Sequence, residues 1–183
     1  MLPTVYRAAA AALVALLIAA YAPAKAALPG QRVENMVFYM HDLPNVTAAF
    51  VAPPQGNSGP SLGTALMFDD KLTRGPRPGS TEVGRGQGMY SVASLGSGLP
   101  ALLFVFTAVL HKPVAYDGST ICLQGSDRTF LAEREIAVVG GTGRFRFARG
   151  YAILSTVNFN LSNGDATIKF NLTMALPHHA NQY

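Results

Sequence analysis

The chain has 183 residues, 49% of them hydrophobic and only 13% charged, which suits one compact domain preceded by an address segment. Its formal charge of +4 falls to about +2 without Arg7 and Lys25, and the basic residues are spread along the chain, which excludes a nucleic-acid-binding stripe. Cys122 is the only cysteine, so an intrachain disulfide is excluded, and its strand-like setting reads as a small buried hydrophobe.

Residues 1–26 read as a secretory signal peptide: Arg7 gives a positive start, Ala8 to Ala22 an apolar stretch, and Ala24-Lys25-Ala26 a cleavage signal. That apolar stretch is too short and alanine-rich for a membrane span, so the mature chain, 27–183 with a core of about 33–176, is expected to be secreted, extracellular and free of the membrane. Sequons at Asn45, Asn160 and Asn171 fit a glycosylated extracellular protein.

The mature chain reads as short strands separated by turn chemistry. Val33 to His41 and Val46 to Ala52 come first, ending at Pro53-Pro54 and a polar loop, Gln55 to Ser61. Leu62 to Phe68 runs into Asp69-Asp70, and Lys71 to Ser80, with prolines and glycines, is expected to be an exposed loop. Val83 to Ala93 resumes strand character, with Gly84, Gly86 and Gly88 marking bulges or a tight bend. Ala101 to Leu110 follows, then Thr120 to Leu123, Glu135 to Val139, Phe145 to Phe159 and Ala166 to Met174.

No segment shows a helical repeat, so the chain is predicted to be all-β with roughly eight strands at hairpin spacing. Ala166, Ile168, Phe170, Leu172 and Met174 alternate with polar residues, giving one buried and one wet face. Ala101 to Leu110 is instead apolar on both: Leu102, Phe104, Phe106 and Leu110 share one side, and Leu103, Val105 and Val109 the other. A barrel strand needs one dry face, so the second predicts a homo-oligomer, unless the chain's own loops cover it.

The stretch Asp127 to Ala152 sets Asp127, Arg134 and Arg149 among apolar residues around Gly140-Gly141-Thr142-Gly143. It reads as a hairpin carrying buried polar groups, against the plainer reading of a glycine turn with a wet edge of arginines.

The blocks FYMHDLPNVTA (38–48), FDDKLTRGP (68–76), VGRGQGMY (83–90), FVFTAV (104–109), DGSTICLQG (117–125) and VVGGTGRFRFARGYA (138–152) resemble the plant dirigent family over nearly all of the mature length. The resemblance implies an eight-stranded antiparallel β-barrel, calycin-like and of the dirigent/allene oxide cyclase type, secreted to the apoplast and homo-oligomeric as a dimer or trimer. It implies a protein that directs the stereochemistry of phenoxy radical coupling of monolignols such as coniferyl alcohol to lignans, while a separate laccase or peroxidase performs the oxidation. Some relatives instead act as pterocarpan synthases, removing water through a quinone methide. A carrier of phenolics or a wall-associated defence protein is the non-catalytic alternative.

By the same resemblance the catalytic residues carry over onto Asp42, Tyr90, Asp127 and Arg134, with Phe104, Phe106 and Arg149 lining the substrate pocket. A carboxylic acid in a dry barrel keeps a raised pKa and can act as a general acid, and an arginine offers donors to a developing phenolate. The plainer alternatives are that Asp42 caps a turn and that Asp127 and Arg134 only pair. Arg144, where lignan-forming members usually carry an acid, and Gly86, where alanine is commoner, depart from the family pattern and leave the substrate open. No cofactor and no metal are expected, since haem, copper and dinucleotide motifs are missing, and His178-His179 reads as part of a polar tail.

Overall fold

The computed structural model describes residues 30–55, 61–94 and 101–178. The expected signal peptide, most of the polar loop after Gln55, residues 95–100 and His179 lie outside the described residues. Nine strands follow one another: β1 (Gln31–Asp42), β2 (Ala48–Ala52), β3 (Ala65–Thr73), β4 (Glu82–Val92), β5 (Ala101–Leu110), β6 (Thr120–Arg128), β7 (Arg134–Thr142), β8 (Arg149–Phe159) and β9 (Ala166–Pro177). Short 3-10 turns at Val114–Tyr116 and Gly143–Phe145 are the described helical elements.

The strands form one antiparallel sheet in the order β1-β9-β8-β7-β6-β5-β4-β3-β2. Pairing of Tyr39 with Thr73, Met40 with Leu72 and His41 with Lys71 joins β1 to β3 and closes the sheet. The result is an eight-stranded antiparallel barrel. β2 is the short ninth piece, continuing beyond the β1 end along the first half of β3, from Ala48 opposite Phe68 to Ala52 opposite Ala65. Closure leaves no long free edge, and it requires the strands to coil and tilt. Gly88 shows what that demands: a Cβ there would lie 2.2 Å from the Val105 carbonyl oxygen and 2.4 Å from the Phe106 Cβ. The pairing of β4 with β5 runs unbroken from Gly84 to Val92, so Gly86 and Gly88 serve close approach, while a register shift against β3 does fall beside Gly84, where Leu72 pairs with Gly84 and Thr73 with Glu82.

Strand alternation sends one row of each strand inward. Phe38 and Met40, Phe68 and Leu72, Phe104 and Phe106, Ile121 and Leu123, Ile136 and Val138, Ala152 and Leu154, and Phe170 and Leu172 form a single buried core. Phe38 stacks on Phe170 at 5.2 Å between centroids and Phe104 on Phe106 at 5.0 Å, with Phe68 tilted against both members of the latter pair.

Several boundaries differ from the sequence reading. β3 continues through Asp69, Asp70, Lys71, Leu72 and Thr73, where a loop was expected, because the inward row Leu66, Phe68, Asp70, Leu72 is unbroken. β6 and β7 are longer than expected, and Gly140 and Gly141 pair with Cys122 and Ile121 inside the ladder instead of forming the turn. The turn itself is Gly143–Phe145, with Gly143 at φ +56°, and β8 begins only at Arg149 because Phe145 is buried in the turn. The β7–β8 hairpin is as expected, running from Arg134 opposite Leu154 to Val138 opposite Gly150.

The two ends of the barrel differ. The turns after β1, β6 and β8 share one end and expose Val46, Phe130, Leu131 and Leu161 around it. Both 3-10 turns lie at the opposite end, where Tyr116 meets Phe145 edge-on at 5.2 Å and closes the barrel.

Candidate functional site

The inward rows are apolar through the middle of the barrel and carry polar side chains at both ends: Arg32 and Glu34 of β1 at the end with the 3-10 turns, and a larger set at the other. On one wall β1, β3 and β4 contribute Asp42, Asp70 and Tyr90. The Tyr90 hydroxyl donates to Asp42 Oδ2 at 3.2 Å, and Thr47 Oγ1 donates to Asp70 Oδ1 at 2.5 Å. Thr47 is placed by the tight turn at Leu43–Thr47, in which its Oγ1 also accepts from the Leu43 amide at 3.1 Å. Asp70 is 1% exposed. One oxygen of each acid, Asp42 Oδ1 and Asp70 Oδ2, is buried without a protein partner.

Two carboxyl groups in a dry wall cannot both ionise at ordinary cost. Burial pushes Asp42 up to about 6, against the Tyr90 hydrogen bond, with Asp165 adding to the rise. Burial and then the nearby Asp42 carboxylate push Asp70 up to about 8. Tyr90 is raised above the usual phenol range by burial first and by Asp42 second, so it remains a hydroxyl donor. Between about pH 6 and 8 this wall therefore holds one carboxylic acid and one carboxylate side by side.

On the other wall β6 and β7 contribute Asp127 and Arg134, 3% and 4% exposed. Arg134 Nε donates to Asp127 Oδ1 at 2.8 Å and Nη1 donates to Thr156 Oγ1, from β8, at 2.9 Å. A guanidinium carries five N–H groups in a fixed fork, so this geometry presents a positioned cation to the barrel interior.

Phe104 lies between the walls: its residue pairs with Tyr90 on one side and Gly125 on the other, two positions from Asp127. Phe104 and Phe106 are buried in the aromatic floor beneath the polar groups. The sequence-predicted Asp42, Tyr90, Asp127 and Arg134 thus share the inner face at one end of the barrel, as two clusters. Asp127 and Arg134 do pair, and Asp42 bonds to Tyr90 rather than capping a turn.

Arg149 is a correction. It opens β8 on the outer face, is exposed, and bonds through Nη1 to the carbonyl oxygens of Val139 and Ala148, so it does not line the pocket. Its position in β8 has the parity opposite to Ala152 and Leu154, which point inward. Asp70, Thr47 and Thr156 are the site residues that the sequence reading missed. The alternation Leu66, Phe68, Asp70, Leu72 carried the signal for Asp70. His41, next to Asp42, points the other way; it bonds to Thr73 at 2.8 Å, and burial lowers its pKa, so it acts as a neutral tie between strands.

Fold and site together define the class: a closed eight-stranded antiparallel barrel with titratable groups gathered over an aromatic floor at one end. A family model described as Dirigent-like protein matches residues 33–175, which spans every described strand except the ends of β1 and β9. The chain is 37% identical over 156 residues to Dirigent protein 21 of Arabidopsis thaliana, covering 81% of each chain. It is 35% identical over 144 residues to Pterocarpan synthase 1 of Glycine max, covering 75% of this chain and 76% of that one. Among solved structures, the pterocarpan synthase dirigent protein GePTS1 superposes with a TM-score of 0.74 at 31% identity, over 85% of this chain and 91% of that one. The protein belongs to the dirigent family.

Proposed function

We propose that the barrel binds a phenolic substrate and controls proton transfer and ring closure on a quinone methide. The observation that carries this reading is the Asp42–Asp70–Tyr90 wall, with one acid protonated, one ionised, and two carboxyl oxygens directed at no protein partner. In a dehydration, the phenol oxygen of the substrate lies against Arg134, and its proton leaves to the Asp127 carboxylate beside it. The benzylic C–O bond then breaks as the protonated carboxyl gives its proton to the leaving oxygen, forming water and a quinone methide. A second hydroxyl of the substrate adds to the methide carbon, its proton is taken up by a carboxylate, and the carbonyl oxygen becomes a phenolate. Arg134 stabilises that developing charge before reprotonation. The similarity to proteins named pterocarpan synthase supports this route.

A second reading rests on the presence of two polar clusters on opposite walls. Each can hold one phenoxyl oxygen, which suits two monolignol radicals, such as those of coniferyl alcohol, supplied by a separate laccase or peroxidase and coupled with one stereochemistry. The bis-quinone methide so formed needs the same ring closure. Two assays separate the routes. Incubation with a phenol that carries a benzylic hydroxyl and a second hydroxyl placed for ring closure, and no oxidant, yields loss of water if the first reading holds. Chiral chromatography of coniferyl alcohol coupled by a laccase yields one enantiomer in excess if the second does. A carrier leaves the alcohol intact and the coupled product racemic.

The same proposal includes a secreted, apoplastic and homo-oligomeric state. Asn45, Asn160 and Asn171 are all exposed, as glycan acceptors must be. On the outer face of β5, Leu103 is 42% exposed, and Met89, opposite Val105, and Met67 beyond it extend the apolar surface across three strands. Val105→Glu is expected to lower the molar mass in light scattering to that of one chain with the barrel intact, since a desolvated unpaired charge costs several kcal/mol at an interface. An unchanged mass, at concentrations where the parent is oligomeric, removes this surface from the assembly.

A further inference from the structure

The turn between β1 and β2 carries a residue with two tasks. Thr47 completes the Asn45-Val46-Thr47 sequon, yet its hydroxyl is engaged in the barrel wall, while Asn45 and Val46 beside it are exposed. Its placement is strongly determined. The amides of Val46 and Thr47 both donate to the Leu43 carbonyl, at 2.9 and 2.8 Å, and the Asn45 amide donates to the Ala48 carbonyl at 2.8 Å. The Asp69 amide in turn donates to the Thr47 carbonyl at 2.9 Å, which ties the turn to β3 one residue before Asp70. A β-branched side chain is stiff at χ1, so this backbone aims its hydroxyl.

That hydroxyl has one hydrogen, and its surroundings leave one good acceptor for it. The Leu43 amide donates to Oγ1 at 3.1 Å, and the Leu43 carbonyl at 3.4 Å is too distant to compete with Asp70 Oδ1 at 2.5 Å. Oδ1 is therefore an accepting oxygen. The other, Oδ2, is buried without a protein partner. A protonated carboxyl has one hydroxyl and one carbonyl oxygen, so a donor held on Oδ1 leaves the proton to Oδ2.

We propose that Thr47 is a positioning residue for the acid, a role that rests on the acid–base reading above: its hydroxyl fixes the rotation of the Asp70 carboxyl and keeps the exchangeable proton on Oδ2. Without it the carboxyl loses both its orientation and a bond that favours its charged form. Burial raises the Asp70 pKa most, and Asp42 of β1 and Asp69 of β3 add to the rise, while the Thr47 bond and Arg85 of β4 oppose it. Tyr90, which faces Asp70 from β4, stays a neutral phenol. A threonine kept only for the turn or for a glycan has no hold on this titration.

Carboxyl 13C titration of Asp70, with the Leu43 amide followed in the same samples, tests the role. Thr47→Val is expected to raise the Asp70 midpoint by about one pH unit and to carry the basic limb of turnover up with it. Thr47→Ser, which keeps the hydroxyl, is expected to restore both. Asn45→Gln, which removes the sequon and leaves the hydroxyl, is expected to change neither. In the parent, the Leu43 amide signal is expected to move with the Asp70 midpoint, because the two groups share Oγ1. An Asp70 midpoint unmoved or lowered in folded Thr47→Val, not restored by Thr47→Ser, or moved equally by Asn45→Gln, overturns the proposal. If Thr47→Val fails to fold, a Leu43 amide that stays flat while Asp70 titrates in the parent does the same. If the parent dehydrates no phenol, the ring-closure reading falls by itself, and the Asp70 midpoints still decide the role of Thr47.

Discussion

The two walls of the candidate site solve one problem in different ways. Asp127 and Asp70 are both almost fully buried acids on the inner face of one barrel. Asp127 has a guanidinium 2.8 Å away, whereas Asp70 has a hydroxyl and a second acid. A buried carboxylate must be matched by a cation or give up its charge to a proton. The paired wall keeps a fixed dipole; the unpaired wall keeps a transferable proton. Acid–base chemistry needs the second kind, and stabilising a phenolate needs the first.

Removing one partner from the paired wall has the largest expected effect. Arg134→Leu leaves Asp127 buried without its cation and is expected to cost about 3–5 kcal/mol, read as the shift of the urea midpoint. The double variant with Asp127→Leu is expected to regain most of that loss while remaining inactive. If Arg134→Leu costs no more than an ordinary surface change, the pair does not hold this wall together.

The unpaired wall makes stability depend on pH. Asp70 is raised in the folded state above its unfolded value near 3.8, so the fold binds the extra proton between about pH 4 and 8. Stability is then greatest below the unfolded value and falls as pH rises through the folded one. A rise from 3.8 to about 8 corresponds to roughly 6 kcal/mol across the window, at ~1.4 kcal/mol per pH unit. Asp70→Asn is expected to flatten the profile and to be more stable than the parent above pH 8, with activity lost. A parent profile rising with pH over this range contradicts the protonated wall.

Rate should follow the same pair. With one acid near 6 and the other near 8, turnover is expected to be bell-shaped between those limits, and Asp42→Asn to remove the acidic limb. The smallest effect is expected from Tyr90→Phe. Loss of its single hydrogen bond to Asp42 costs about 1 kcal/mol in stability and raises the acidic limb, because that bond lowers the pKa of Asp42. An acidic limb that moves down instead rules Tyr90 out as the group holding Asp42 ionised.

The strands were largely legible because alternation is local: Ile168 to Met174 shows it without any partner strand. Closure was legible through the family motifs, since no single strand records that β1 meets β3. Asp42, Tyr90, Asp127 and Arg134 came from those motifs, and the structure adds which of them touch. Asp70 was missed because an Asp-Asp pair before a proline- and glycine-rich stretch looks like the end of a strand. The alternation through Leu72 says otherwise, and the burial of Leu72 and Thr73 beyond the pair bears it out. Arg149 was misplaced for the converse reason: a charge amid apolar residues looks buried until its parity against Ala152 and Leu154 is counted.

The central claim is that the β1–β3–β4 wall holds a proton at neutral pH. Carboxyl 13C shifts of Asp70 and Asp42, followed against pH in the folded protein, test it directly. Titration of Asp70 with a midpoint near 8 and of Asp42 near 6 is the expected result, with the Asp70 midpoint falling in Asp42→Asn. An Asp70 signal already ionised at pH 5 would contradict the account, since the wall would then have no proton to give.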